Sequence, residues 1–267
     1  MDVALKLADL EEVPEDSAIY VSGDNIRKAL FGIDAGVSEL MLAKQLGYDA
    51  VIAHHPPGGR ALVNFPQVFK RHIQQMVSAG VPIEEARKAI RRKFETLRVE
   101  ACTRNYTHAT DVARLLGIPY LNIHTPLDEI GRKRMDMQIR KEVKDDFRVR
   151  EIISALKELP EFQNALTDIK IAIGKPENLA GKIVVSHGAG TNGGYEVAKT
   201  YFKYGVGTLI YIHINPWDLE KLKTEIIEGK NLIVTGHIAS DSVGINPFIR
   251  KLENRGVHVT TIGVVKG

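Results

Sequence analysis

Short apolar runs alternate with longer amphipathic segments along most of the chain. The runs are three to six residues long, as in strands, and the amphipathic segments repeat their apolar residues with the period of a helix. We predict strands over 17–22, 50–53, 120–123, 137–140, 183–185, 209–212, 232–234 and 257–262, and a hairpin that pairs 169–173 with 183–185. We predict helices over 24–29, 37–46, 111–116, 149–159, 195–204 and 218–228, and two more within 65–97. The alternation predicts an α/β fold with mixed sheets.

Histidines recur where the apolar runs end. Six of the nine histidines in the chain stand at such positions: His54, His55, His124, His187, His213 and His237. In open α/β sheets, ligands bind at the carboxyl ends of the strands, so side chains placed there converge on a cleft. Imidazole at several such ends indicates a metal site in that cleft.

Composition narrows the class of protein without naming a ligand. The 267 residues are 44% hydrophobic and 26% charged, which is ordinary for a globular chain of one large or two modest domains. A net charge of +3 is too small to indicate nucleic-acid or membrane binding. The single cysteine fits a reducing compartment. No stretch resembles a signal peptide or a membrane span, so we expect a cytoplasmic protein.

The composition becomes strongly charged at Gly131-Arg132-Lys133-Arg134, which suggests a domain boundary. Predicted strands that are followed by a histidine occur both before this point and near the end of the chain. We therefore predict one metal-binding α/β domain from residues 1–130 and 231–267, with a second α/β domain inserted at 131–230.

Three sequence motifs contain the candidate metal-binding side chains. His54 and His55 precede a Pro-Pro-Gly turn that can splay their rings toward neighbouring ions. His124 and His237 are each followed four residues later by a carboxylate, Asp128 or Asp241, which shares a face with the histidine if a helix follows the strand. Any one histidine here is better explained as a polar strand end bonded to backbone, but three coinciding motifs favour metal.

These motifs resemble those of the GTP cyclohydrolase 1 type 2 homologs, also called Nif-three-like dinuclear metal-binding proteins. The resemblance rests on the strand ending in His-His-Pro, on His-Thr-x-x-Asp at 124–128 and on Gly-His-x-x-Ser-acid at 236–241, with Asp34 and the Gly-Asp-Asn stretch at 23–25 as further similarities. It implies one metal on His54 and His237, another on His55 and Asp128, and Asp241 as the bridge, where the family commonly has glutamate. It also implies ring-like hexamers and a GTP ring-opening activity.

Two divalent ions can activate a bridging water for hydrolysis, which suggests a nucleotide-like or phosphorylated heterocyclic substrate. Zinc, iron, manganese, cobalt and nickel all suit histidine and carboxylate ligands. His124 is expected to orient Asp128 or touch substrate. His187 and His213 are candidates for donating a proton to a leaving group or contacting substrate, with a capped strand end as the plain alternative.

Other classes of function stay open. A metal-binding scaffold or regulatory protein would need the same ligands without catalysis. The glycine-rich stretch 188–193 has the spacing of a dinucleotide-binding turn, although the residue expected to hold the ribose falls near His213. A nucleic-acid interface would use the basic residues Arg87, Lys88, Arg91, Arg92, Lys93, Arg132, Lys133 and Arg134, but it lacks interleaved aromatic residues.

Overall fold

The computed structural model describes residues 1–142, 147–225 and 228–267. The strands are β1 Ala18–Val21, β2 Lys28–Gly32, β3 Ala50–Ala53, β4 Tyr120–Asn122, β5 Lys170–Ile173, β6 Lys182–Val185, β7 Val206–Tyr211, β8 Asn231–Val234 and β9 His258–Ile262. The helices are α1 Asp2–Ala8, α2 Val37–Gln45, α3 Gly59–Val68, α4 Arg71–Ser78, α5 Ile83–Ala101, α6 His108–Leu116, α7 Thr125–Glu142, α8 Val149–Lys157, α9 Pro160–Gln163, α10 Gly194–Lys203, α11 Pro216–Glu225 and α12 His237–Glu253. The predicted α/β class with mixed sheets is confirmed.

The first sheet has the strand order β1-β4-β3-β2-β9 and is parallel except for β1, which pairs with β4 in the antiparallel sense. Both faces are covered. Leu30 and Val51 belong to the cluster on one face, whereas Phe31 and Ile52 belong to the cluster on the other. Strands buried on both faces read as continuous apolar runs, which explains why the sequence lacks a polar alternation here.

The second sheet has the order β5-β8-β7-β6, again parallel except for one edge strand, β5. It too has an apolar cluster on each face. The carboxyl ends of β3 and β4 in the first sheet and of β6, β7 and β8 in the second carry the histidines noted above. Side chains from both sheets line one enclosed cavity, so the two sets of strand ends meet there.

Two long helices, α7 and α12, leave this cavity and pack against each other. Their crossing is close because glycines face each other. A Cβ on Gly244 would collide with the carbonyl oxygen of Leu127, and one on Gly131 would lie 3.2 Å from the carbonyl oxygen of Ser240. Since Asp128 and Asp241 lie one turn inside these helices, the crossing sets the separation of the two carboxylates.

Several predicted elements differ from the structure. Residues 24–29 are not a helix, because Asn25 adopts a left-handed backbone and β2 begins at Lys28. The strand predicted over 137–140 lies inside α7, where Met135 and Ile139 share the buried face at helical spacing. The two helices predicted within 65–97 are parts of three, α3, α4 and α5.

The predicted hairpin is also wrong, because β5 and β6 lie at opposite edges of the second sheet. Strand β5 pairs with β8, and β6 pairs with β7, so sequence neighbours are separated by two strands inserted from later in the chain. Residues 226 and 227 of the helix predicted over 218–228 lie outside the described residues.

The strands of the two sheets do not follow the boundaries of the predicted domains. Helix α7 runs across residues 130 and 131, and β8 at 231–234 belongs to the second sheet. The inserted arrangement itself stays a prediction. Within 1–142, 147–225 and 228–267, no helix is both long and apolar enough to cross a membrane.

We predict that Gly244→Ala lowers the free energy of unfolding by about 2 kcal/mol, because the new methyl group must force α7 and α12 apart. Urea denaturation followed by circular dichroism measures this. Gly36→Ala is the matched control, since a Cβ there meets only the end of the Glu39 side chain at 3.8 Å. Equal stability of the two variants would contradict a tight crossing.

Candidate metal centre

His54 is held in one orientation at the end of β3. Its side chain is fully buried, and its Nδ1 lies 2.9 Å from the carbonyl oxygen of Ile123. A carbonyl oxygen can only accept, so Nδ1 carries a hydrogen and the other nitrogen, Nε2, has a free lone pair in the neutral ring. Such a backbone contact is how proteins fix the tautomer of a metal-binding histidine.

The free Nε2 of His54 lies 3.2 Å from Oδ1 of Asp128 and 3.7 Å from Oδ2 of Asp241. All three atoms are buried, and none has a hydrogen-bond partner among the described residues. Acceptors this close repel one another unless a cation lies between them. Ligand atoms on a tetrahedral ion with bonds of about 2.0–2.2 Å lie about 3.4 Å apart, so the spacing fits a divalent metal.

A second group shares Asp241. Its Oδ2 lies 3.3 Å from Nε2 of His237 and 3.5 Å from Nε2 of His55. The Nδ1 of His55 lies 2.6 Å from the carboxylate of Asp34, at the end of β2, which leaves Nε2 turned toward the centre. The three ligand atoms of His55, His237 and Asp241 lie within 4.8 Å of one another, as do those of His54, Asp128 and Asp241.

The five expected metal ligands therefore converge. Their ligand atoms fall into three groups within 4.8 Å of one another: His54 with Asp128 and Asp241, His55 with His237 and Asp241, and His54 with His55 and His124. The pairing that the resemblance implies, His54 with His237 and His55 with Asp128, stays a prediction. Asp241 reaches two of the three groups although its side chain is one methylene shorter than glutamate, because α12 begins at His237 and brings its first turn into the cavity. Buried clusters that can hold metal ions are thus present.

His124 lies next to the ligands and is bound by a residue that sequence reasoning missed. Asp16 is fully buried and accepts hydrogen bonds from Nδ1 of His124 and from the hydroxyl group of Thr125, both at 2.7 Å. The Nε2 of His124 lies 3.8 Å from Asp128. Burial alone would lower the pKa of His124, but the charges of Asp128 and Asp16 raise it to about 9.

The carboxylates keep their charge in the absence of metal. Burial alone would raise the pKa of Asp128, but the nearby His124 charge and the contact with His54 hold it well below the usual range. Burial likewise opposes ionisation of Asp241, and the adjacent imidazoles of His55 and His54 lower its pKa. Two buried negative charges side by side favour a bound cation, because the cation offsets the cost of removing them from water.

His187 and His213 extend the cavity on the side of the second sheet. His187 is almost completely buried, and its Nε2 lies 3.7 Å from Oδ1 of Asp128. The ring centroid of His213 lies 4.6 Å from that of His237 with the planes tilted by 50°, and burial with the charge of His237 lowers the pKa of His213 to about 4. The glycine-rich segment 188–193 connects β6 to α10 and lines the same cavity.

Four of the eight basic residues considered for nucleic-acid binding contact other parts of the chain. Arg132 binds Glu129 through two nitrogens, Lys133 binds Asp9 and Arg134 binds Glu161. Nζ of Lys93 donates to the carbonyl oxygen of Asn192 at 2.6 Å. These contacts occupy half of the cations that a nucleic-acid interface would use.

Asp34 was noted only as a similarity, and Asp16 and Asn192 were not singled out. Asp16 precedes a strand within a stretch of acidic residues that reads as solvent-exposed. The Gly-rich context of Asn192 reads as a turn. No local sequence pattern marks either position, because each side chain contacts a residue far along the chain. Asp16 binds His124, about one hundred positions away, and Asn192 binds His213, about twenty positions away.

Neither the protein-family models nor the curated proteins gave a match to this chain. Among solved structures, a NIF3 superfamily protein from Sphaerobacter thermophilus is 50% identical, with a TM-score of 0.95 over 98% of this chain and 96% of that one. Reduced HcgD from Methanocaldococcus jannaschii is 14% identical, with a TM-score of 0.60 over 97% and 94%. Staphylococcus aureus hypothetical protein SA1388 is 13% identical, with a TM-score of 0.53 over 100% and 95%. The last two similarities concern the fold alone.

In metal-free protein, we predict that the His124 ring titrates near pH 9 and that Asp16→Asn lowers this pKa, because a facing charge is removed. Titration of the ring by proton–nitrogen NMR measures both values. The pKa of His124 in the folded chain lies above the ordinary histidine value of 6.5, so the resulting stabilisation is complete below about pH 6.5 and is lost as the pH rises through about 9. An unchanged His124 pKa in Asp16→Asn would contradict the assigned contact.

Proposed function

The chain belongs to the NIF3 superfamily, and on that premise we propose that it is a dinuclear divalent-metal hydrolase acting on a nucleotide-like or phosphorylated heterocyclic substrate. One observation carries the proposal. The buried acceptor atoms of His54, Asp128 and Asp241 face one another without a hydrogen between them, at distances that a metal ion would bridge.

In this proposal, His54 and Asp128 hold one ion, His55 and His237 hold the other, and Asp241 binds both. Histidine nitrogen with carboxylate oxygen suits zinc, iron, manganese, cobalt or nickel, and the donor set does not select among them. When bound, such a pair of ions lowers the pKa of a water and stabilises negative charge on the attacked centre.

Residues beside the metal ligands would orient a ligand or contact the substrate. Asp16 holds His124, and His124 orients Asp128, an arrangement that supports a ligand through its outer contacts. Within the part of the chain that the structure describes, Nε2 of His187 has no hydrogen-bond partner, which suits this residue to contact substrate or to donate a proton to the leaving group.

A groove of about 650 Å³ adjoins the centre at His55 and offers room for the substrate. Its lining combines polar and acidic side chains with the apolar residues Ala35, Val37, Pro56, Pro57 and Ala109, and includes no lysine or arginine. Asp34, Glu39, Asn105 and His108 contribute most of its hydrogen-bonding groups. This chemistry suits the heterocycle of a substrate better than its phosphate, which would instead lie at the metal ions.

The same ligands would serve a metal-binding scaffold or regulatory protein, so catalysis has to be measured. Assembly into a homohexamer, a cytoplasmic location and nucleic-acid binding also remain predictions. Sedimentation of the purified protein tests the hexamer. Titration with single-stranded and double-stranded oligonucleotides at two salt concentrations tests nucleic-acid binding, because phosphate contacts weaken steeply with salt.

We predict two divalent ions per chain in protein purified without a chelating tag, and about one or fewer in Asp241→Ala, because that residue contributes to both groups. Elemental analysis against protein concentration gives the ratio. Asp111→Ala is the control, since Asp111 is an exposed carboxylate paired with Arg114. Wild-type protein with fewer than one ion per chain after reconstitution would contradict a two-ion centre.

We also predict that the reconstituted protein hydrolyses nucleotides or related heterocyclic phosphates, and that Asp128→Asn reduces the rate at least a hundredfold by weakening one ion site. Product analysis by chromatography, with each of the five metals restored in turn, detects the reaction. Full metal occupancy without turnover on any of these substrates would favour the scaffold.

A further inference from the structure

His213 was expected to donate a proton or contact substrate, and its contacts define its role more narrowly. The ring follows the end of β7, lines the central cavity and adjoins the tilted ring of the metal-ligand candidate His237. Its Nδ1 lies 3.0 Å from the side-chain nitrogen of Asn192. Which partner donates depends on how the Asn192 amide is oriented, and other contacts decide that orientation.

The Asn192 side chain is fixed by two donors on its oxygen. Its Oδ1 accepts from Nζ of Lys93 at 3.1 Å and from the backbone N–H of Gly194 at 3.0 Å. Both partners can only donate, so this atom must be the oxygen and the amide cannot be flipped. Lys93 is itself anchored by the Asn192 carbonyl oxygen at 2.6 Å. The NH₂ group of Asn192 therefore faces His213.

An NH₂ group can only donate, so Nδ1 of His213 must accept and the ring hydrogen sits on Nε2. That nitrogen has no protein partner within the described ranges 1–142, 147–225 and 228–267. A nitrogen carrying its hydrogen cannot ligate a metal, and Nδ1 is occupied. His213 is thus excluded as a sixth ligand although it adjoins His237 and lies in the same cavity.

We infer that the Lys93–Asn192–His213 relay fixes the Nε2–H of His213 as a hydrogen-bond donor to a phosphoryl oxygen of a substrate bound at the metal ions. The inference rests on the proposed dinuclear centre for its ligand, but the relay itself does not. A fixed N–H beside two cations favours an anionic oxygen, because a cation or a second donor there would be repelled. Lys93 and Asn192 are positioning residues, and His213 is the one that touches the ligand.

The relay is tested first by proton–nitrogen NMR of the ring of His213 in the full chain, with and without zinc. We expect the hydrogen on Nε2 in wild type. Asn192→Asp, which replaces the donor with an acceptor of the same shape, should place a hydrogen on Nδ1. Lys93→Met should weaken this preference, because only the backbone N–H of Gly194 then holds the Asn192 oxygen. A wild-type ring with its hydrogen on Nδ1 alone would overturn the inference.

The ligand is tested by calorimetric titration of zinc-loaded protein with inorganic phosphate. His213→Ala and Asn192→Ala should weaken binding about tenfold, the effect of losing one hydrogen bond to a charged oxygen, with zinc content unchanged. His213→Gln retains a donor and should restore part of the affinity. Asn64→Ala, whose amide binds Glu15 away from the cavity, is the matched control.

The outcomes separate the two proposals. Zinc-loaded protein that binds phosphate equally well with and without the His213 ring, or does not bind it at all, overturns the ligand assignment while the metal centre stands. Protein that takes up none of the five metals overturns the proposed function, and the tautomer of His213 then decides the relay by itself.

Discussion

The burial of two carboxylates beside one imidazole is the constraint on which this structure depends. Asp128 and Asp241 lie 3.2 and 3.7 Å from the same nitrogen of His54, and both are almost inaccessible to water. Removing a charge from water costs several kcal/mol unless a partner of opposite sign replaces the lost hydration. Since His54 directs its hydrogen to the Ile123 carbonyl oxygen, its neutral ring offers these oxygens only a lone pair. A cation resolves the conflict, and the surrounding architecture is arranged to hold one.

That architecture brings the ends of two sheets to one cavity. Strands of the first sheet deliver His54, His55 and His124, and strands of the second deliver His187, His213 and His237. The carboxylates come from the first turns of α7 and α12, each of which begins directly after a histidine-bearing strand end. The glycine crossing of these helices then fixes how near Asp128 and Asp241 approach. Fold and site are therefore coupled, because a change at the crossing moves ligands on both helices.

Much of this could be predicted from the sequence because it is local. The apolar runs marked most of the strands, and the spacing His-x-x-x-Asp follows from one turn of helix after a strand. Local patterns do not report long-range partners. The β5–β8 pairing, the grouping of His54 with Asp128 and the contacts of Asp16 and Asn192 each join distant segments. The α7 helix was misread over 137–140 because, of its buried residues Met135 and Ile139, only Ile139 lies in that stretch, so a short window contains only part of the helical period.

Anomalous diffraction at the absorption edge of the bound metal, recorded from crystals of the reconstituted protein, tests the central claim most directly. The account predicts two peaks in the cavity, one between His54 and Asp128 and one between His55 and His237, with Asp241 adjacent to both. A cavity without a peak in metal-loaded crystals, or ions bound only elsewhere on the molecule, would contradict it.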